Sequence, residues 1–193
     1  MSQNNFNQRK KAVLDKEDKS SIGSWDKAIV KLCNKINSLE NFYTTSSCSG
    51  RAVLMIDQEK KSEGLFLEIS HEKISFEWLK DSLEKISKNP KFSEKTIKFK
   101  TESPILHVIC KDLESASELL EKAKHAGFKR SGINALRKNI LIELISTEKI
   151  EFPVIHKRKI IVNNSFLELI AKQANKKLEK GWDKIKKLEK SLD

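Results

Sequence analysis

From Trp25 to Leu39 the apolar residues Trp25, Ile29, Leu32, Cys33, Ile36 and Leu39 recur at helical spacing, with Ser24 placed to accept a backbone N–H as an N-cap. This predicts an amphipathic helix. The period then shortens. Asn41–Tyr43 and Ala52–Ile56 read as two strands flanking a polar turn over residues 45–50, and Gly64 to Ile69 and Thr96 to Lys100 read as strands around a helix from about Ser75 to Ile86. Asn89-Pro90 ends that helix. Ile105 to Cys110, opened by Pro104 and apolar apart from His107, predicts a buried strand. Asp112 then caps a helix through Ala126, which Gly127 stops where left-handed geometry is needed. Asn139 to Ser146 reads as a core strand, and a short extended segment after Ile150 ends at Pro153.

A long helix from about residue 163 closes the chain. Its predicted apolar stripe is Phe166, Leu169, Ile170, Ala174, Leu178, Trp182, Ile185 and Leu188, and its other face carries Lys172, Lys176, Lys177, Lys180, Lys184, Lys187 and Lys190. Strands come in neighbouring pairs between helices, so the expected fold is an α+β domain, a mixed sheet packed by helices, in one domain spanning 1–193. No internal repeat stands out.

Composition narrows the setting. The 193 residues are 38% hydrophobic, enough for a real core, and no stretch approaches the roughly 20 apolar residues of a membrane helix. The N-terminal residues lack the apolar run of a signal peptide. Cys33, Cys48 and Cys110 are odd in number and form no CxxC pair, so neither a disulfide framework nor a zinc ribbon is expected. These features predict a cytoplasmic protein. The formal net charge of +11 favours a polyanionic partner, nucleic acid above all, although lysines interleaved with acidic residues also serve simply to solvate exposed faces.

Candidate chemistry concentrates in Thr44-Thr45-Ser46-Ser47-Cys48-Ser49-Gly50-Arg51, which gathers hydroxyls, a thiol, a glycine and a guanidinium. Gly50 lets a ligand approach the backbone, successive amides can form an anion nest, and Arg51 offers a fork for a carboxylate or phosphate. An ordinary hairpin turn explains the same residue types. A thiol nucleophile at Cys48 would need a base such as His71 or His107 beside it. His107 is either a satisfied core residue or a base. Glu143, interrupting an apolar strand, must face solvent or meet a cation or a ligand donor. Asp18 and Asp26 suit helix capping as well as a site.

Ser46-Ser47-Cys48-Ser49-Gly50-Arg51 resembles the hallmark turn of the wybutosine-synthesising tRNA methyltransferase family, and other segments follow in the same order. Asp18-x-Ser20-x-x-Gly23-x-x-Asp26 precedes it; Ile69-Ser70-His71 and Glu102-x-Pro104-Ile105-Leu106-His107-Val108 come after. Gly127-Phe128-x-x-Ser131-Gly132-Ile133, Ile142-Glu143-Leu144-Ile145-Ser146-Thr147, Pro153 and Ala174-Asn175-x-Lys177 complete the resemblance, which spans nearly the whole chain. Ile22, where a basic residue usually precedes the glycine, and Ser103, where a proline is common, depart from the pattern; neither touches the turn.

The resemblance implies methyl transfer from S-adenosylmethionine to ring nitrogen 4 of a wyosine precursor beside the anticodon of tRNA-Phe, with no metal and no membrane involved. A non-catalytic tRNA-binding module is the alternative. No GxGxxG follows a predicted strand, so the doubly wound methyltransferase fold is not expected. By resemblance, Ser46 to Arg51 are candidates for the cofactor and His107, His71 and Asp26 for catalysis. Asp18, Ser20, Glu102, Ser131, Glu143, Ser146, Asn175 and Lys177 are candidates for the substrate. Positioning of the ring nitrogen against the methyl group, worth up to about 7–11 kcal/mol, should outweigh a general base worth about 10²–10⁴-fold.

Overall fold

The computed structural model describes residues 3–15, 26–60, 63–136 and 139–193. In chain order its elements are α1 (Gln3–Leu14), α2 (Val30–Ser38), β1 (Phe42–Cys48), β2 (Arg51–Ile56), β3 (Phe66–Ser70), α3 (Phe76–Lys88), a 3₁₀ turn (Pro90–Phe92), β4 (Thr96–Glu102), β5 (Ile105–Cys110), α4 (Leu113–Ala126), β6 (Gly132–Ala135), β7 (Ile140–Ile145), β8 (Ile150–His156), β9 (Lys159–Ile160) and α5 (Asn164–Lys190). Two units share them. One comprises Met1–Ser49, Pro104–Thr147 and Gly181–Asp193; the other comprises Gly50–Ser103 and Glu148–Lys180.

The first unit carries a sheet in the order β1-β5-β7-β6, the second a sheet in the order β3-β2-β4-β8-β9. The class is α+β as expected. In place of one mixed sheet there are two, and every strand pair among the described residues is antiparallel. Sequence patterns find most of the strands but miss the short β6 and β9, and the pairing depends on side-chain fit between segments far apart in the chain.

In the first unit Leu106 and Val108 of β5 and Ile142 and Leu144 of β7 point to the same core as Leu32, Cys33 and Ile36 of α2 and Leu119 and Ala123 of α4. The C-terminal residues Ile185, Leu188 and Leu192 join them. The opposite sheet face is covered at one end by α1, whose Phe6 packs on Tyr43 with ring centroids 5.3 Å apart and meets Ile109. The sequence pattern does not predict α1, because Phe6 and Val13 alone anchor an otherwise polar segment. In the second unit β4 alternates, burying Ile97, Phe99 and Thr101 and turning Lys98, Lys100 and Glu102 outward. Leu79, Leu83 and Ile86 of α3 and Leu167, Ile170, Ala171 and Ala174 of α5 cover the buried face.

Several boundaries differ from the sequence expectation. The helix expected from Trp25 is α2, with Ile29 in the N-cap position and no side-chain cap; Ser24 and Trp25 lie outside the described residues. Pro153 does not end its strand. It sits inside β8 where the register against β4 slips between Ile97 and Lys98, a bulge that tolerates a missing N–H. Ser75 and Asp112 cap α3 and α4 as the sequence indicates, accepting from Trp78 N and Ser115 N, and Gly127 ends α4 at φ +106°. On α5 the buried stripe is rotated by a residue at its start: Leu167 and Ala171 are buried, whereas Leu169 is 51% exposed.

Lys184 also departs from the expected solvent-facing row. A Cβ on Gly127 would lie 2.9–3.1 Å from the Lys184 side chain, and Lys184 Nζ donates to Ser146 Oγ at 3.1 Å. Its stem covers the left-handed glycine and its charge serves the first unit. Among the described residues no helix is long and apolar enough to cross a membrane.

Candidate functional site

A polar row in the first unit runs straight across three strands. Register places Ser46 of β1 opposite His107 of β5, and His107 opposite Glu143 of β7. Side chains on these positions share the face opposite the Leu106–Val108 core. Ser46 Oγ is 2.6 Å from His107 Nδ1, and His107 Nε2 is 2.8 Å from Glu143 Oε1. Both His107 and Glu143 are about 30% exposed, at 29% and 30%, and Ser46 is exposed, so the row is open at its serine end. Glu143 therefore does not face solvent alone; its partner is the His107 ring. Thr45 Oγ1 adds a long contact at 3.4 Å to the His107 carbonyl.

Beyond Ser46 the segment turns inward. Ser49 N donates to Asp26 Oδ2 at 2.7 Å, so Asp26 braces the end of β1 rather than capping α2 with its side chain. Ser49 is fully buried, and its hydroxyl has no hydrogen-bond partner among the described residues. Among the described residues the Ser47 hydroxyl is likewise buried without a well-formed hydrogen bond, and the Cys33 thiol lies beside it. Burial pushes that thiol up to about 11, the Ser47 hydroxyl opposing the shift. Cys110 is pushed by burial to about 12. Neither thiol is a nucleophile at neutral pH. A buried hydroxyl such as that of Ser49, with no partner among the described residues, is costly unless something uses it. The segment is not a hairpin turn: β1 pairs with β5, whereas β2 pairs with β3 and β4.

The second unit begins at Gly50, whose φ of +95° requires glycine or strain. Next to it Arg51 pairs in register with Glu102. Arg51 Nε donates to Glu102 Oε2 at 2.6 Å, Lys100 Nζ donates to Glu102 Oε1 at 2.8 Å, and the guanidinium lies 4.6 Å over the Phe66 ring. Burial is the largest influence on Glu102 and would raise its carboxyl, but the hydrogen bonds and charges of Lys100 and Arg51 together outweigh it and hold the carboxyl low. Among the described residues, Arg51 and Lys100 both bond this one carboxylate. Lys100 and Phe66 are not among the residues the sequence singles out. The i, i+2 spacing of Lys100 and Glu102 on one strand face is the signal that would have found the lysine.

The remaining candidates divide clearly. Ser131 Oγ donates to Phe128 O at 2.6 Å and accepts from Ile145 N at 3.1 Å, joining the loop after α4 to the end of β7. Ser146 is buried under Lys184. Asn175 on α5 uses both amide functions on one residue, accepting from Ile74 N at 2.9 Å and donating to Ile74 O at 2.8 Å, so it anchors the entry to α3. Lys177 is half-buried. His71 stands in the bend after β3, in the second unit, and His107 in the first. Asp18 and Ser20 lie outside the described residues.

A family model described as Methyltransferase TYW3 matches residues 8–193. The tRNA(Phe) 7-((3-amino-3-carboxypropyl)-4-demethylwyosine(37)-N(4))-methyltransferase of Thermococcus sibiricus is 38% identical over 94% of this chain and 91% of its own. The protein of the same description from Methanocaldococcus jannaschii is 34% identical over 96% and 95%, and the tRNA wybutosine-synthesizing protein 3 homolog of Danio rerio is 33% identical over 100% and 76%. Among solved structures, the PH1069 protein from Pyrococcus horikoshii superposes with a TM-score of 0.85 at 31% identity, covering 99% of this chain and 97% of that one. A fold outside the doubly wound class, the serine-rich segment from Ser46 to Arg51 and these relatives over nearly full length converge on one conclusion: the chain belongs to the methyltransferase TYW3 family, whose chemistry requires a methyl donor.

Proposed function

We propose that this protein transfers a methyl group from S-adenosylmethionine to ring nitrogen 4 of the 7-(3-amino-3-carboxypropyl)-4-demethylwyosine base of tRNA(Phe). The observation that carries the reading is the family match over residues 8–193, with curated relatives of that description at 34–38% identity. The residues present suit such a ligand pair. S-adenosylmethionine supplies the methyl group on a sulfonium; it also brings a carboxylate and ribose hydroxyls. The buried hydroxyls of Ser47 and Ser49 are of the right kind to meet polar ligand groups. The aminocarboxypropyl arm of the base carries a carboxylate too. Arg51, which shares Glu102 with Lys100, is the residue we assign to bind one of these carboxylates.

Within this reading Ser46, Ser47, Cys48 and Ser49 of the first unit and Gly50 and Arg51 of the second remain the cofactor candidates, and His107 is the base candidate that already has hydrogen-bond partners on both ring nitrogens. Asp26 acts indirectly, by fixing the Ser49 amide. Ser131, Ser146 and Asn175 shape the surroundings through the bonds described above. Calorimetry of the folded protein with S-adenosylmethionine, followed by a methylation assay on tRNA(Phe) bearing the precursor, tests the proposal. Saturable binding and a new methyl group on the tricycle are expected; absence of both sinks it.

For the tRNA itself, the exposed lysines Lys172, Lys176, Lys180 and Lys187 of α5 are assigned to phosphates, and Lys184 is removed from that set. Removing one lysine–phosphate pairing should flatten the dependence of log affinity on log salt by about 0.7–0.9. Neutralising Lys172, Lys176 and Lys180 together should therefore reduce the slope by about 2–3, with no change in affinity for S-adenosylmethionine. An unchanged slope would make this face ordinary solvated surface.

A further inference from the structure

The row from Ser46 to Glu143 has a direction. A neutral imidazole offers one N–H donor and one acceptor nitrogen, and which nitrogen carries the proton is set by its partners. Glu143 as a carboxylate can only accept, so at 2.8 Å it demands a proton on His107 Nε2. Nδ1 is then an acceptor, and at 2.6 Å it takes the Ser46 O–H as its donor. The serine oxygen is left with its lone pairs directed away from the ring, at the exposed end of the row.

From this geometry we infer that Glu143, His107 and Ser46 form a proton relay in which Ser46 Oγ receives the proton that the substrate ring loses on methylation, and Glu143 is the positioning residue that makes this possible. The inference rests on the methyl-transfer reading and deepens it. A 4-demethyl ring carries hydrogen where the product carries methyl, so a neutral product requires that one proton leave. The new bond from ring nitrogen 4 to carbon forms as the methyl carbon parts from its donor, the bonding pair leaving with the donor. The ring proton passes to Ser46 Oγ, the Ser46 proton passes to His107 Nδ1, and the resulting imidazolium is held by the Glu143 carboxylate through Nε2–H. Release of that proton to solvent restores the row.

Several observations favour a working relay over a simple strand-to-strand brace. All three residues lie in direct register across β1, β5 and β7, so the backbone ladder fixes their spacing without help from mobile loops. His107 and Glu143 are partly covered, whereas Ser46 and Thr45 are exposed, which leaves the serine as the atom of the row most open to an incoming base.

The test separates the relay from the reading on which it rests, because its first measurement needs neither substrate nor cofactor. In ¹⁵N-labelled wild-type protein at a pH where the ring is neutral, His107 should show a protonated Nε2 and an unprotonated Nδ1. Glu143→Leu should give a mixed or reversed tautomer, and Glu143→Gln, which keeps a carbonyl acceptor, should retain the wild-type one. Methylation by Glu143→Leu should fall by about 10²-fold in kcat, the scale of a lost general base, with KM and affinity for S-adenosylmethionine unchanged; Glu143→Gln should fall less. Ser46→Ala should reproduce the kcat loss while leaving the tautomer alone. A wild-type ring protonated on Nδ1, or a Glu143→Leu enzyme with full kcat, overturns the relay. A wild-type protein that shows the Nε2–H tautomer yet methylates nothing overturns the methyl-transfer reading instead, and the relay falls with it.

Discussion

Arg51→Ala is expected to reduce methyl transfer by about 10²–10³-fold, the scale of loss when one preorganised hydrogen-bond donor is removed from a reaction centre. Its effect on stability should be far smaller. Glu102, which loses the 2.6 Å bond from Arg51, keeps the 2.8 Å bond from Lys100, so no buried carboxylate is stranded. Both members of the Arg51–Glu102 pair remain about a quarter exposed, at 23% and 25%, and water screening limits the pair to about 1 kcal/mol or less. The stacking over Phe66 adds about 0.5–1 kcal/mol. Arg51→Lys should rescue stability but not turnover, since an ammonium cannot present the planar fork that grips a carboxylate. Parallel measurement of kcat/KM, affinity for S-adenosylmethionine and Tm decides the matter. An activity loss that merely tracks the loss of Tm would leave Arg51 as a strand-pairing residue.

Much of the fold was legible because its elements carry local signals. Ser75, Asp112 and Gly127 mark helix ends through their own backbone chemistry, and the apolar run Ile105 to Cys110 had no other plausible home than a core strand. Pairing was less accessible. Nothing local says that β1 joins β5 while β2 joins β3 and β4, yet this division removes the hairpin interpretation of residues 45–50 and splits the expected sheet in two. The same limit applied to the site. The odd polar residues in apolar strands, His107 and Glu143, were conspicuous individually, but their union with Ser46 follows from a register that spans 61 and 36 residues of sequence. Asn175 and Ser131 illustrate the converse: motif residues chosen for polarity prove to spend their hydrogen bonds on backbone groups nearby.

Gly181→Ala should destabilise the protein, although the same change in most helices does the reverse. Gly181 lies in the interior of α5, where alanine is favoured by about 1 kcal/mol because it restricts the unfolded chain and exposes less backbone. Here the new Cβ would stand 2.8 Å from both Cδ and Cγ of Pro104, well inside the 3.5–4.0 Å at which carbon atoms attract. Neither side can yield cheaply. The proline ring has a fixed φ and no rotamer to change, and Pro104 O accepts from Ser146 N at 3.3 Å, tying the start of β5 to the end of β7. On the helix side Ile185 and Leu188 are buried in the first unit's core, so moving the backbone at 181 would drag packed side chains. Overpacking of this kind costs about 1–3 kcal/mol, which cancels the helix preference and leaves a net loss for alanine and a larger one for leucine. Urea unfolding should show a lower midpoint with an unchanged m-value. The proline is the test of cause: in Gly181→Ala combined with Pro104→Ala the clash disappears, so the double variant should be more stable than the sum of the two single losses, a coupling of about 0.5–3 kcal/mol. A Gly181→Ala protein stabilised by the ordinary helix increment, or a double variant that is simply additive, would show that α5 and the Pro104 ring are not in close contact.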